Sequence, residues 1–254
     1  MFKNKNQSTR MKLLGTLMII AVVLSSIEVF LVSVMNGRLV DAEENRTALT
    51  VHADNFGDAS AYLTNEVRSY GTTGDRTHYD NYWYEVNTAK NREFTTNAMK
   101  EIGLTAEEQV MIEEVAALSN NLIPLEENAM KEVEKGNLDG ANAILYGKEY
   151  VDGITRIKGI ISTFTETITA RAEAEVAHYQ RLVDIFTILS YIASVIILIA
   201  SIYVVRFALK ELIKPMQKIE VKMHEFANGK LDGSFDLKED DTEIGVTVRS
   251  INQL

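Results

Sequence analysis

The sequence predicts an all-α membrane protein: two membrane-crossing helices, an antiparallel four-helix bundle between them, and a short helix pair after the second. Three observations carry that expectation. Two apolar runs, Leu13 to Met35 and Val183 to Val205, each hold the roughly 20 residues that cross a hydrocarbon core as a helix. Proline occurs twice and glycine 14 times in 254 residues, so little interrupts long helices. Between the runs, apolar side chains recur at spacings of three and four, the pattern of helices packed along a seam.

The flanks of the apolar runs set an orientation. Residues 1–12 contain Lys3, Lys5, Arg10 and Lys12, and Arg206, Lys210, Lys214 and Lys218 follow the second run. Basic residues are held on the cytoplasmic side, so both ends are expected inside and residues 36–182 outside the cell membrane. That outer segment carries 14 basic and 25 acidic side chains, a net of −11 by subtraction. Such an acidic surface disfavours nucleic acid and anionic lipid headgroups as partners and reads as a solvated helical exterior. The first apolar run is too long for a signal peptide and passes without a break into a helical pattern, so an uncleaved anchor is expected. Glu28 and Asp184 fall near the outer edge of the two runs, close enough to the interface to reach water. Cysteine is absent and histidine numbers four, which leaves no disulfide framework and no expected metal or other cofactor.

The elements follow in order. From the first apolar run a stripe continues through Met35, Leu39, Ala42, Arg46, Leu49, Ala53, Phe56, Ser60, Leu63, Val67 and Tyr70, alternating steps of four and three. A seam so regular is expected to face, in part, a second copy of the chain. It ends at Gly71-Thr72-Thr73-Gly74-Asp75, a cluster that breaks and caps helices. A second helix is predicted over 76–102, with Tyr79, Trp83, Val86, Phe94 and Ala98 inward, closed by Gly103. Thr105 and Glu108 form the capping box of a third helix, whose inner face is Met111, Val115, Leu118, Leu122, Leu125, Ala129 and Val133. Pro124 is expected to kink it. Gly136-Asn137-Leu138-Asp139-Gly140 is the next turn, and the fourth helix carries Tyr150, Ile154, Ile157, Ile161, Phe164 and Ile168 into the second apolar run. A segment that leaves and re-enters one membrane face needs an even number of helices, hence four.

After the second run come Pro215, an apolar stripe of Leu209, Leu212, Met216, Ile219, Met223 and Phe226, and a helix stop at Ala227-Asn228-Gly229-Lys230-Leu231. A polar connector leads to Thr242-Glu243-Ile244-Gly245 and an apolar run to Leu254. Residues 206–254 resemble the HAMP domain of bacterial transmembrane receptors: a proline after the membrane exit, a glycine ending the first helix, and an Asp-Glu-Ile-Gly motif opening the second. Thr242 stands where that family usually has aspartate. The resemblance implies a signal relay through Pro215, Gly229, Glu243, Ile244 and Gly245, in a parallel four-helix bundle made by a homodimer. It also implies that the second helix continues into an output domain beyond Leu254. Residues 36–182 are similar to the bundle sensor modules of methyl-accepting chemotaxis proteins, most visibly in Val67-Arg68-Ser69-Tyr70-Gly71-Thr72-Thr73-Gly74-Asp75.

No catalytic constellation is visible: there is no glycine-rich phosphate loop, nucleophile motif or paired-histidine spacing, and no enzymatic activity is expected of this chain. Adjacent acids such as Glu113-Glu114 and Glu126-Glu127 read as a solvated face. Counting down from the two turns puts Tyr62, Tyr82 and Tyr146 at one level, Tyr79, Trp83 and Tyr150 within a turn of it, and Arg68, Arg76 and His78 above. Together with Tyr70, this ring is the candidate ligand site, fit for a carboxylate or an aromatic molecule, or for a periplasmic-type binding protein; ordinary aromatic packing is its competitor. A second polar level holds Asn91, Arg92, Asn120, Asn121 and Arg156. The expected function is the sensory half of a chemoreceptor, with the front half of a histidine kinase or diguanylate cyclase as the alternative and a ligand-free membrane adaptor as a weaker one.

Overall fold

The computed structural model describes residues 7–229, 237 and 239–253. Lys3 and Lys5 of the basic flank, and Lys230, Leu231 and Leu254 of the last segment, lie outside the described residues. Those described form helices α1 (Gln7–Thr73), α2 (Arg76–Tyr84), α3 (Asn91–Ile102), α4 (Ala106–Glu134), α5 (Leu138–Leu145), α6 (Lys148–Ala208), α7 (Lys214–Ala227) and α8 (Glu243–Asn252). Two π-helical stretches, Glu85–Ala89 and Leu209–Ile213, interrupt the series, and no strand occurs among the described residues. Helices α1 and α6 are long and apolar enough to cross a membrane. The chain divides into two compact units, residues 36–181 and residues 1–35 with 182–254.

The unit 36–181 is a bundle whose pairings fix its directions. Along α6, Tyr150 meets Glu126, Arg156 meets Glu114 and Arg171 meets Glu108, so α4 and α6 run antiparallel. Arg68 reaches the carbonyl of Leu145 and Phe56 packs edge-on against Phe164, which sets α1 antiparallel to α6. Tyr82 meets Glu126 and Arg92 meets Ser119, so the α2–α3 rod runs antiparallel to α4. One apolar core runs through all of these helices, from Leu49, Ala53 and Phe56 through Val67, Met99, Val115 and Leu145 to Phe164 and Ile168. Burial of that stripe, rather than intrinsic propensity, is what holds long helices together in a bundle. Much of the α1 seam is buried within the chain itself: Leu49 and Ala53 are 2% and 0% exposed. The exposed apolar residues of this stretch are instead Val40, Val51 and Tyr62.

Turn chemistry follows the sequence signals. Gly74 takes φ +70° and its amide returns to the carbonyl of Tyr70 at 2.8 Å, a left-handed stop that glycine adopts without strain. Asp75 then caps α2 by accepting from the Thr77 amide at 2.9 Å. The capping box of α4 is complete, Thr105 Oγ1 accepting from Glu108 N and Glu108 Oε2 from Thr105 N. Pro124 sits within an α4 that continues unbroken on both sides. The segment after Gly136 is a short helix, α5, capped by the Asn137 side chain, and not only a turn.

The predicted continuous helix 76–102 is corrected. It is α-helical to Tyr84, widens into the π stretch, and is reset at Lys90, whose φ/ψ of 48°/40° is left-handed. A π turn inserts one residue into the register. Thr95 and Met99 consequently face inward where Phe94 and Ala98 were expected, and Phe94 is 65% exposed, its ring edge-to-face with His52 at 6.2 Å.

In the second unit a π stretch directly precedes Pro215, which sits in the first turn of α7. Proline has no amide to give the carbonyl four residues back, and its ring crowds that carbonyl, so the local widening relieves the clash. The carbonyl in question, of Glu211, accepts from the Gln7 side chain at 3.1 Å. Gly229, at φ +79°, ends α7. Thr242 caps α8, its side chain accepting from the Gly245 amide at 3.1 Å. A Cβ at Gly245 would lie 2.4 Å from the carbonyl oxygen of Asp240, which makes the glycine obligatory. Glu243 accepts from the amides of Gln7 and Ser8 at the first turn of α1, where the helix dipole favours a carboxylate. Val248 is the buried apolar anchor of α8. Ile244 borders, with Leu212 and Met216, a groove in the same unit.

Candidate functional site

The sequence-predicted ring at the tip of the bundle separates into distinct groups. Tyr70, Tyr79, Trp83 and Tyr82 form an edge-to-face ladder, with ring centres 5.3, 6.3 and 5.2 Å apart in that order. Such contacts stabilise by about 0.5–1.5 kcal/mol each beyond the area they bury. The ladder closes the core. Arg68 lies over the rings of Tyr146 and Tyr150 at 4.8 and 5.5 Å while its Nη2 donates to Leu145 O at 3.2 Å. Its Nε, like Trp83 Nε1, is buried with no acceptor among the described residues. Arg76 stacks on Tyr79 at 4.0 Å but pairs only with Asp80 in the open. Tyr62 and Tyr146 point outward, 39% and 55% exposed. His78 is taken up by Glu66.

Beneath the ladder, the pair of acids read as solvent-facing is corrected at Glu126. Its side chain is buried and accepts from Tyr82 OH through Oε2 and from Tyr150 OH through Oε1 at 2.7 Å. The position belongs to the apolar stripe of α4, four residues after Leu122 and three before Ala129, and that register could have identified it. Burial raises the carboxyl above the usual carboxylate range, and the two tyrosine bonds only partly offset it. Burial, and then the adjacent Glu126 charge, push both phenols up strongly, so they remain hydrogen-bond donors.

Glu126 and Tyr82 form one end of a cavity of about 380 Å³ inside the bundle. It opens where the α2–α3 rod widens and resets, because the π stretch draws Glu85 inward and Lys90 turns the chain. Glu85, 5% exposed, holds the start of α3 by accepting from Asn91 N and Nδ2, both at 2.8 Å. Arg92 follows, half-buried, its Nη1 donating to Ser119 Oγ at 2.7 Å. Removal from water lowers the pKa of its guanidinium, against the pull of Tyr82, Glu126 and Glu85. The apolar wall comes from α6, Ile154, Ile157 and Ile161, with Leu63, Val86 and Leu122 opposite. Asn120 lines it too, so the cavity gathers two members of the second polar level. Asn91 lies behind Glu85, Asn121 is exposed, and Arg156 pairs with Glu114 on the surface.

A partly open cleft with an apolar wall and several charged side chains is a common form of small-molecule site, and 380 Å³ is at the small end of the ~300–1,000 Å³ such sites span. No cluster of metal-ligating side chains occurs among the described residues. Comparison with known families, with curated proteins and with solved structures gives no match for this chain. The cavity's own geometry therefore carries the functional reading.

Proposed function

We propose that this chain is the sensory half of a homodimeric transmembrane chemoreceptor, in which residues 36–182 face outward and a ligand in the bundle cavity biases the cytoplasmic residues 206–254. The observation that carries the reading is the span of α6. The same helix, Lys148–Ala208, presents Ile154, Ile157 and Ile161 to the cavity and contains the whole second apolar run. A ligand that prefers one position of α6 has differential affinity for two states, and only such a difference shifts an equilibrium. The π stretch before Pro215 is the element that absorbs the shift, since single π turns within α-helices are frequently found at functional sites. The relay role of Pro215, Gly229, Glu243, Ile244 and Gly245 is part of the same proposal.

The test joins residues 1–254 to the signalling domain of a chemoreceptor and measures kinase control in cells. Some compound of a small-metabolite library should change the output. Inserting one residue after Arg206 rotates all that follows by about 100° and should abolish the response. An output indifferent to every compound and to the insertion sinks the reading.

A further inference from the structure

One carboxyl group joins three helices. Glu126 of α4 accepts from Tyr82 of α2 through Oε2 and from Tyr150 of α6 through Oε1. All three side chains are buried, and α6 is the helix that contains the second apolar run. Among the described residues neither oxygen is bonded to a cation; both donors are neutral phenols. Glu126 and Tyr82 also line the partly open cavity, which gives water and protons a path to the carboxyl.

Charged groups face this cluster from each neighbouring element. Arg92 of α3 is the cation whose field favours the ionised Glu126, and Glu85 of the π stretch acts on Arg92 in turn. Glu127, next along α4, bears on Tyr82, and Arg68 of α1 bears on Tyr150. Lys90 and Glu93 line the same cavity but are exposed and pair with each other at 3.6 Å. Lys158 of α6 is exposed as well. None of these side chains donates to Glu126, so its protonation is set by burial and the two phenols.

An ionised carboxylate accepts from both phenols at once. A protonated one cannot hold the same pair, because one oxygen now carries a hydrogen that it must donate. One phenol has to turn its hydrogen away, and the bond that remains falls from charge-assisted to neutral, about half as strong. Burial favours this neutral form and brings the exchange closer to neutral pH than for a free glutamate. We propose that Glu126 is an acid-operated clasp, whose protonation frees one phenol and loosens α6 from α2 and α4. The clasp deepens the sensor reading by making α6 respond to external acidity, and rests on that reading for its role; the titration itself needs no signalling.

Trp83 is the single tryptophan of the chain and its ring lies 5.2 Å from that of Tyr82, so its fluorescence reports the clasp. The folded full chain in nanodiscs, titrated from about pH 8 to pH 4, should show an emission transition centred above the ordinary glutamate value of about 4.3. Glu126→Gln should abolish it. Tyr82→Phe and Tyr150→Phe each remove a donor that favours the charged form and should move the midpoint upward. His78→Gln, which removes the histidine of the tip, should leave the transition in place. The proposal is overturned by a parent chain with no transition or one centred at or below 4.3, a result that needs no variant to fold. It is overturned equally by a transition that survives Glu126→Gln, or by a midpoint that neither phenylalanine variant moves. In the hybrid receptor, external acidification through the same midpoint should change kinase control in the parent and not in Glu126→Gln. A flat titration leaves the sensor reading standing, since that is judged by the response to compounds; a clear titration without any response would do the opposite.

Discussion

Two buried glutamates in one bundle titrate in opposite senses, and each makes a prediction. Glu108 is fully buried, and burial alone would raise its carboxyl; hydrogen bonds from Arg171 and Thr105 outweigh this and hold it below the usual range. A carboxyl depressed on folding contributes stability above its unfolded pKa of about 4.3, lost as pH falls through the folded value. Glu126 is the reverse: raised on folding, it gives its fullest contribution at low pH and loses it as pH rises through the folded value. Melts of the full chain in detergent, read by Trp83 fluorescence, should show Glu126→Gln gaining on the parent protein from about pH 4 to 8. Glu108→Gln should lose ground as pH rises through the acid range to about pH 5 and hold a constant deficit above it. A pH-independent difference for both would refute the assignment. Glu126→Ala leaves two phenols without an acceptor in the core and should cost roughly 2–5 kcal/mol at any pH.

At the scale of elements, the break between α2 and α3 is what a reading of the sequence does not reach. The caps at Asp75 and Thr105, the stop at Gly74 and the apolar stripes of α1, α4 and α6 are local patterns, and all are visible in the chain. Nothing in Glu85-Val86-Asn87-Thr88-Ala89-Lys90 breaks a helix by composition. The interruption is held by the buried Glu85 bonding forward to the exposed Asn91, a pairing that no local sequence pattern announces. The cavity depends on that break, and of the sequence-predicted ring it includes only Tyr82. Lys90 bears the backbone cost of φ 48°, so Lys90→Gly should stabilise by up to ~1 kcal/mol and Lys90→Val should destabilise by at least as much. Equal midpoints in urea for the two variants would show that this conformation carries no strain. The outer face of α1 gives a further prediction. Val40, Val51 and Tyr62 recur every 11 residues, three helical turns, and so line one exposed stripe. If two copies associate along it, Val51→Cys cross-links between chains under mild oxidation, whereas Ala53→Cys, sealed in its own core, does not. Equal yields at both positions would refute the stripe.

At the scale of the whole molecule, charge carries the orientation. Residues 36–182 have a net charge of −11 while the chain has −10, so everything else sums to +1. An acidic bundle and basic ends at the two apolar runs are the arrangement expected if lysine and arginine stay on the cytoplasmic side, which is the orientation proposed. The same two runs carry many exposed large apolar side chains, such as Ile19, Leu24 and Phe30 on α1 and Ile192, Leu198 and Val205 on α6. Apolar surface so continuous is stable in lipid and a liability in water. The absence of cysteine makes the orientation directly measurable, because any thiol is one that has been introduced. Asp75 is a poor position for it, since its carboxylate caps α2. Lys135, exposed at the end of α4 and paired only with Glu132 on the surface, is a better one; Asn228, exposed at the end of α7, serves for the other unit. In intact cells a membrane-impermeant maleimide should label Lys135→Cys and leave Asn228→Cys untouched until the membrane is opened. Labelling of Asn228→Cys in intact cells would invert the orientation and remove the cavity from the outside. Labelling of both only after lysis would place the acidic bundle inside, where no extracellular ligand could reach Arg92.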